Sequence, residues 1–399
     1  MKIWMVCESL MEVKVPNVTV LEIRRNLLKL KHEVLLFCPS TEKRHADPAD
    51  KGIYFVPTIP LRGPRELLYQ LLLPVAMLLS FIRSRPHWMY VRPVITMISP
   101  PIVARVLCIP CIIHFSGDMV EILRSVRANI ALRSLHEALE RINVKLSTRV
   151  IVETARIASI RRDRHKVSEK KIVVVANGAN IDLFTPMDKL QARKAIGIDE
   201  NCFYVGFTGN LTRFQGLPYL VQAAPTVLME LPATRFLVVG DGEARNEITE
   251  MVKKMGLSDS FVLTGLVPYE KVPLYIAASD VCVAPRIRDL CEKTGISLLK
   301  LGEYMACGRP VVASDIEGVG PVLREAEAGI PVPLEDPHEL AVAIVALLKD
   351  RDRREKMGEK ARRYAVERLS WEMVARRLIE VYETAVGAAG RKPSVGRKS

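Results

Sequence analysis

Short apolar runs alternate with amphipathic stretches along almost the whole chain. Residues 3–7, 32–37, 88–91, 111–115, 150–152 and 172–175 are compact runs rich in Val, Ile, Trp and Phe, the pattern of strands buried on both faces. Between the first two, Val20, Ile23, Leu27 and Leu30 recur at helical spacing over 18–30. A turn-rich break at 177–186 follows, and a second set of strand-like runs occupies 204–208, 235–239, 261–264, 281–284 and 310–313. Strands alternating with helices predict an α/β class built of right-handed βαβ units on parallel sheets. The expected division is a first domain over 1–185, a second over 186–365, and a last helix within 366–387 that completes the first domain. Residues 388–399 are small and basic and are expected to be a disordered tail. Two doubly wound domains would set two switch-point crevices on either side of one cleft, a natural place for two substrates.

Composition adjusts this picture in three respects. A hydrophobic content of 49% with 26% charged residues is that of a globular protein, and 399 residues exceed what one core supports. Eight scattered cysteines, several inside strand-like runs, read as buried thiols of a reducing, cytoplasmic compartment. Cys108 and Cys111 form a lone C-x-x-C with no second pair or neighbouring His to complete a metal site. The longest apolar stretch, 71–82, is shorter than the ~20 residues a spanning helix needs, so it reads as a core helix or an interfacial one.

The net charge is +13 and unevenly placed: 124–171 holds 13 Lys/Arg against 5 Asp/Glu. Such a surplus is either a solvated basic surface or a face for an anionic partner, such as a membrane surface, a phosphate-bearing substrate or a nucleic acid. With only 6% aromatic residues the chain lacks the stacking platforms of single-strand binders, which argues against nucleic acid.

The most informative stretch is 294–314, which reads as loop, helix, stop and strand. Thr294 or Ser297 can cap a helix that Gly308 ends and Pro310 keeps from continuing. A helix N-terminus offers unpaired N–H groups and partial positive charge, which suit a phosphate. One carboxylate, Glu303, lies inside this mostly apolar helix, where it could accept hydrogen bonds from a sugar diol; the alternative is a capped core helix with one solvent-facing Glu.

This stretch resembles the donor-site motif of family 4 of the retaining glycosyltransferases, where the glutamate grips the ribose of a nucleotide sugar. Four further segments resemble the family in the same order. Residues 176–186 are similar to its interdomain Asn-Gly-Val-Asp turn, and Gly209, Asn210, Leu211, Thr212, Arg213, Phe214, Gln215 and Gly216 to its Gly-x-Leu-x-x-x-Lys-Gly turn. Val239-Gly240-Asp241-Gly242-Glu243 resembles its Val-Gly-x-Gly segment, and Thr264-Gly265-Leu266-Val267-Pro268, with 272–281, its nucleobase side. The resemblance implies the GT-B fold, with two Rossmann-like domains facing across a cleft and the last helix crossing back to the first. It also implies a nucleotide-diphosphate sugar donor, a glycan or lipid-linked acceptor hydroxyl, front-face transfer with retention, and no metal or other cofactor. Gly295, Ile296 and Ser297, with Thr294, would supply donors to the phosphates, and Glu303 would hold the ribose.

The chain departs from the family where relatives carry Arg and Lys, at Asn210 and Gln215. Arg213 or Lys300 is the expected replacement, the alternative for Lys300 being a helix-surface lysine. The family's first glutamate falls on Gly295, and the loop after the first strand, 8–16, has no glycine. On the acceptor side His114 and Asp118, leaving the 111–115 strand, are expected to orient the acceptor or the sugar. The basic first half and the apolar 66–82 segment suggest a lipid-linked acceptor and a peripheral position on the inner face of an anionic membrane. Two other readings stay open: a member that binds a nucleotide sugar without transferring it, and a nucleotide-sugar epimerase on the same fold.

Overall fold

A computed structural model describes the chain except residues 9–10, 13–14, 42–50, 62–63, 94–96, 126–127, 289–298 and 388–399. It separates into two compact units, Met1–Ala176 with Trp371–Ser399, and Asn177–Ser370.

The first unit is built on a seven-stranded sheet. Its strands are β1 (Lys2–Cys7), β4 (Glu33–Pro39), β5 (Ile53–Val56), β6 (Trp88–Arg92), β7 (Cys111–Phe115), β8 (Arg149–Val152) and β9 (Ile172–Val174); β2 (Met11–Glu12) and β3 (Val15–Pro16) form a separate small hairpin. The order is β5-β4-β1-β6-β7-β8-β9, all parallel. Helices α2 (Pro64–Arg83), α3 (Ser99–Val106), α5 (Ile130–Leu146) and α6 (Ala155–His165) bury Leu73, Met77, Ala104, Val144 and Ile157 on the sheet face carrying Trp4, Val6, Val91 and Ile113. On the other side α1 (Val18–Lys29) packs against the final helix, Trp371–Gly387, where Tyr382 stacks on Trp88 at 5.6 Å between ring centroids. A short α4 (Met119–Ser125) follows β7.

The second unit carries a six-stranded parallel sheet in the order β12-β11-β10-β13-β14-β15. These strands are β10 (Phe203–Thr208), β11 (Thr234–Val239), β12 (Phe261–Gly265), β13 (Val281–Ala284), β14 (Val311–Ser314) and β15 (Gly329–Val332). Alternation along β10 sends Val205 and Phe207 toward α8 (Leu217–Glu230), which fits Leu217, Leu220, Val221 and Ala224 against them. Tyr204 faces the opposite side, among Ala192 of α7 (Lys189–Ile196) and Ala277 of α10 (Val272–Ala278). The helix α9 (Arg245–Lys254) adds Ile248 and Val252 to the α8 side.

The division falls earlier than residue 185 because 177–184 packs into the second unit. Ala179 N–H donates to the Leu369 carbonyl at 2.6 Å, and Phe184 is buried among Ile276, Tyr304 and Met305. At the other end the helix Arg351–Arg368 stays in the second unit, and the chain rejoins the first only at Trp371. In the two large sheets the strands absent from the sequence pattern, β5 and β15, lie at the edges. β15 contains Gly329 and Pro331, residues that an edge tolerates and a central strand does not.

One buried ion pair fixes how β13 enters this sheet. Asp280 is 4% exposed. It accepts hydrogen bonds from Arg193 of α7 at 2.7 Å and from the backbone N–H of Tyr204 at 2.8 Å, and Lys189 also reaches it. Asp280→Ala leaves the buried Arg193 guanidinium without its counter-charge, so equilibrium denaturation of that variant is expected to show a loss of about 3–5 kcal/mol. A loss below about 1 kcal/mol would mean that water reaches Arg193 freely.

Candidate functional site

In the second unit the chain leaves β10 toward β11 and β12, and leaves β13 toward β14 and β15. Loops following neighbouring strands therefore diverge beyond the carboxyl ends of β10 and β13, and this is where a doubly wound sheet opens a crevice. Its floor depends on close backbone contact. Gly240, after β11, has φ +136°. Its N–H donates to the Gly265 carbonyl, and a Cβ there would lie 2.0 Å from the Gly209 oxygen. Gly216, with φ +65°, starts α8 so close to the loop after β13 that a Cβ would meet the Arg286 nitrogen at 2.7 Å.

Beside this floor runs the helix Leu299–Ala306, which carries the charged groups. Lys300 is only 8% exposed, and its ammonium lies 3.8 Å from the centroid of the Phe207 ring. It donates to Gln215 Oε1 at 2.9 Å, and among the described residues it makes no ion pair. Burial, with repulsion from Arg286, drives the lysine well below its ordinary pKa, while Glu303 acts in the opposite direction. A cation held by a neutral amide and an aromatic face is costly to bury, and an anion brought beside it recovers that cost.

Glu303 follows Lys300 by one helical turn and is half-buried. Burial raises its carboxyl to about 7, against the lowering effects of the Tyr269 hydrogen bond and of Lys300. The Tyr269 hydroxyl donates to Oε1 at 3.2 Å, and its ring rests edge-on against Phe184 at 5.5 Å. The next residue anchors the helix: the buried Tyr304 hydroxyl accepts the Thr208 N–H at 2.7 Å at the end of β10.

The two candidates for the missing cation are thus separated. Lys300 is turned inward and joined to Gln215, whereas the Arg213 side chain is 76% exposed and reaches Glu247 of α9 at 3.6 Å. Gly209 and Asn210 are exposed at the crevice floor, Gly265 is buried against Arg245, and Val267 packs partly buried beside the Tyr204 cluster. Thr294, Gly295, Ile296 and Ser297 lie outside the described residues. Phe207, Tyr269 and Arg286 were not anticipated. Arg286 is 7% exposed, and its N–H donates to Ser314 Oγ at 2.9 Å. A cation directly after a buried strand and Pro285 is the signal that marks it.

The first unit has its own polar edge. Glu8, Arg92, His114 and Glu153 are all buried at the carboxyl ends of β1, β6, β7 and β8. The Tyr90 hydroxyl meets His114 Nδ1 at 2.7 Å, and Nε2 lies 3.9 Å from Glu153 Oε1. Burial, then Arg92, lowers the imidazole far below its ordinary pKa and keeps it neutral. Asp118 belongs to a different arrangement. It is fully buried, caps α4 through the Val120 N–H at 3.1 Å, and receives Arg164 of α6 on both oxygens at 2.7 and 2.6 Å. Next to it Glu140 accepts Arg161 at 2.6 Å and contacts His165. Burial alone would raise the Glu140 pKa, but Arg161 and the two histidines His136 and His165 hold it well below the usual range. Asp118 therefore fastens three segments together.

Comparison with known proteins finds relatives over both units. The family model described as Glycosyl transferases group 1 matches residues 188–364, and that described as Glycosyltransferase Family 4 matches 16–183. D-inositol 3-phosphate glycosyltransferase of Corynebacterium urealyticum is 35% identical over 249 residues, which are 59% of this chain and 56% of that protein. The chain thus matches less than two thirds of the length of such curated relatives. Among solved structures, sucrose-phosphate synthase from Thermosynechococcus elongatus has a TM-score of 0.75 at 21% identity, covering 97% of this chain and 99% of that one. Anabaena HepE in complex with UDP and glucose gives 0.69 at 18% identity, covering 96% and 100%. At these identities the structures establish a shared fold, the GT-B arrangement of two Rossmann-like α/β units.

The elevated Glu303 pKa has a testable consequence. A carboxyl held at about 7 when folded, against 4.5 unperturbed, keeps a proton that the unfolded chain releases, so it lowers stability as pH rises from about 4.5 to 7. A ligand that needs the carboxylate as acceptor shows the opposite trend: its affinity falls as pH drops below about 7, by up to roughly tenfold per unit. Titration of a nucleoside diphosphate at a series of pH values should show this slope, and Glu303→Gln should flatten it.

Proposed function

The chain belongs to the family 4, group 1 glycosyltransferases, and from that premise we propose that it transfers a sugar, with retention, from a nucleotide-diphosphate sugar to an acceptor hydroxyl. The observation that carries this reading is the pairing of buried Lys300 with half-buried Glu303 one turn away, at the switch point between β10 and β13. Lys300, with Arg286 near it, meets the charge of the diphosphate. Glu303 accepts hydrogen bonds from the ribose diol. Gly209 and Gly216 let the backbone approach the ligand, and Gly295, Ile296 and Ser297 are the proposed backbone donors to the phosphates. The cations take the part that a divalent ion plays at other leaving diphosphates.

In the proposed step the bond from the sugar's anomeric carbon to the phosphate oxygen breaks. A bond to the acceptor oxygen forms on the same face, and the acceptor's proton passes to the departing phosphate. Positioning and charge stabilisation supply the acceleration. On the acceptor side the favoured residue is His114, neutral and with Nε2 lacking a hydrogen-bond partner among the described residues. Asp118, committed to Arg164 and the α4 cap, acts on orientation through that scaffold. The acceptor classes to screen are phosphorylated polyols, as the name of the corynebacterial relative suggests, and lipid-linked glycans.

A second reading, a nucleotide-sugar binder that does not transfer, rests on Asn210 and on Arg213 being turned to Glu247; an epimerase would instead release an altered nucleotide sugar without any acceptor. Calorimetric titration with UDP, GDP and ADP tests donor binding. One nucleotide should bind selectively, and Glu303→Ala should weaken it by about 1.5–3 kcal/mol, the usual loss for a hydrogen bond to a charged group. Unchanged affinity in that variant would remove Glu303 from the site. Tight donor binding with neither transfer nor slow donor hydrolysis would favour the non-transferring reading.

A further inference from the structure

Helix α2 is apolar on two opposite sides. Tyr69, Leu73, Ala76 and Met77 are buried on the sheet of the first unit. Leu67, Leu71, Val75, Leu78, Leu79 and Ile82 follow the three- and four-residue spacing of the other side, and all are exposed: Leu71 by 63% and Ile82 by 81%. A helix apolar all round is normally enclosed. Here only 28% of an 18-residue window is buried, although the helix is long and apolar enough to cross a membrane by length and composition. Pairing of its inner side with the sheet makes it a fixed part of the unit, so a spanning role would require tearing it from the core.

The exposed stripe does not stand alone. α3 packs beside α2 and exposes Ile102 and Val106, and α5 packs beside α3 and exposes Leu135 and Ile142. Together they extend an apolar surface across one side of the unit, beyond the scattered exposed hydrophobics of an ordinary monomer. Its charges are mostly basic. Residues 64–110 hold five arginines and one acid, Glu66, which Arg65 pairs at 2.7 Å. Arg83, Arg85 and Arg105 are exposed at the end of α2 and on α3, and on α5 Lys145 is exposed, as is Arg141, which lies 3.8 Å from Glu137.

We propose that this α2–α3–α5 face is a docking surface for an anionic lipid bilayer, with α2 lying in the plane of the interface. The aliphatic stripe enters the boundary between headgroups and acyl chains, and the arginines at its rim meet lipid phosphates. Charge selects this occupant over a second copy of the chain. A two-fold contact would bring the arginine-rich rims of two copies together on a protein whose net charge is already +13. The surface is a property of the first unit and does not depend on the transfer reaction.

The test is co-sedimentation of the full chain with vesicles of phosphatidylcholine mixed with phosphatidylglycerol, and with vesicles of phosphatidylcholine alone. Retention is expected on the anionic vesicles, weakening as salt is raised, with little on the neutral ones. The triple variant Leu71→Glu, Leu78→Glu, Ile82→Glu should partition at least ~tenfold more weakly while keeping the wild-type thermal midpoint. Arg83→Glu with Arg85→Glu, outside the packed side of α2, gives a second reading should the triple variant fail to fold, and it too should lose binding to anionic vesicles. No retention of the wild type, or equal retention of the folded variants, would overturn the proposal. So would a wild-type dimer in sedimentation velocity that the triple variant converts to monomer, since the face would then be covered by a second copy.

Discussion

The candidate donor site depends on one interaction, the buried ammonium of Lys300 held between the Phe207 ring and the amide oxygen of Gln215. It joins three distant parts of the second unit. Phe207 lies near the end of β10 and Gln215 in the turn before α8, with Lys300 itself on the helix that carries Glu303. A buried lysine that makes no ion pair among the described residues is expensive for a fold to keep. The cost is reasonable where a diphosphate supplies the opposite charge, because the binding energy then includes relief of a strain already present in the free protein. Glu303 shows the complementary strain, a carboxyl raised to about 7 by burial.

The rest of the second unit serves this arrangement. Tyr304 fixes the Lys300 helix to β10 through the Thr208 N–H, so Lys300 and Glu303 have little freedom relative to the sheet. The glycine contacts among the loops after β10, β11 and β12 exclude side chains from the crevice floor. Asp280 ties β13 to α7 and β10 from the opposite end of the strands. The first unit is organised differently. Its ionic network of Asp118, Glu140, Arg161 and Arg164 holds α4, α5 and α6 together, and the polar edge with His114 lies at the ends of the central strands.

Much of this was legible in the sequence where the signal is local. The alternation of runs identifies both sheets, and the glycines at 209 and 216 with Glu303 point to the candidate crevice through backbone freedom and residue type. For Lys300 the sequence left a helix-surface position open, and the burial of Tyr304 and Cys307 at i+4 and i+7 turns it inward. What the sequence hid is non-local. Nothing near Arg213 reveals that Glu247 draws it away, and nothing near Asp118 reveals Arg164, which lies 46 residues later. The edge strands β5 and β15 escaped for another reason: four residues, with Gly and Pro in one case, carry too little pattern to be distinguished from loop.

The central claim is that Lys300 reads the diphosphate. The most direct measurement compares the affinity of the selected nucleoside diphosphate with that of its bare nucleoside, in the wild type and in Lys300→Met. The expected result is that the diphosphate's advantage over the nucleoside shrinks by about tenfold or more in the variant, while nucleoside affinity is unchanged. An undiminished advantage would contradict the claim and assign the diphosphate to other groups.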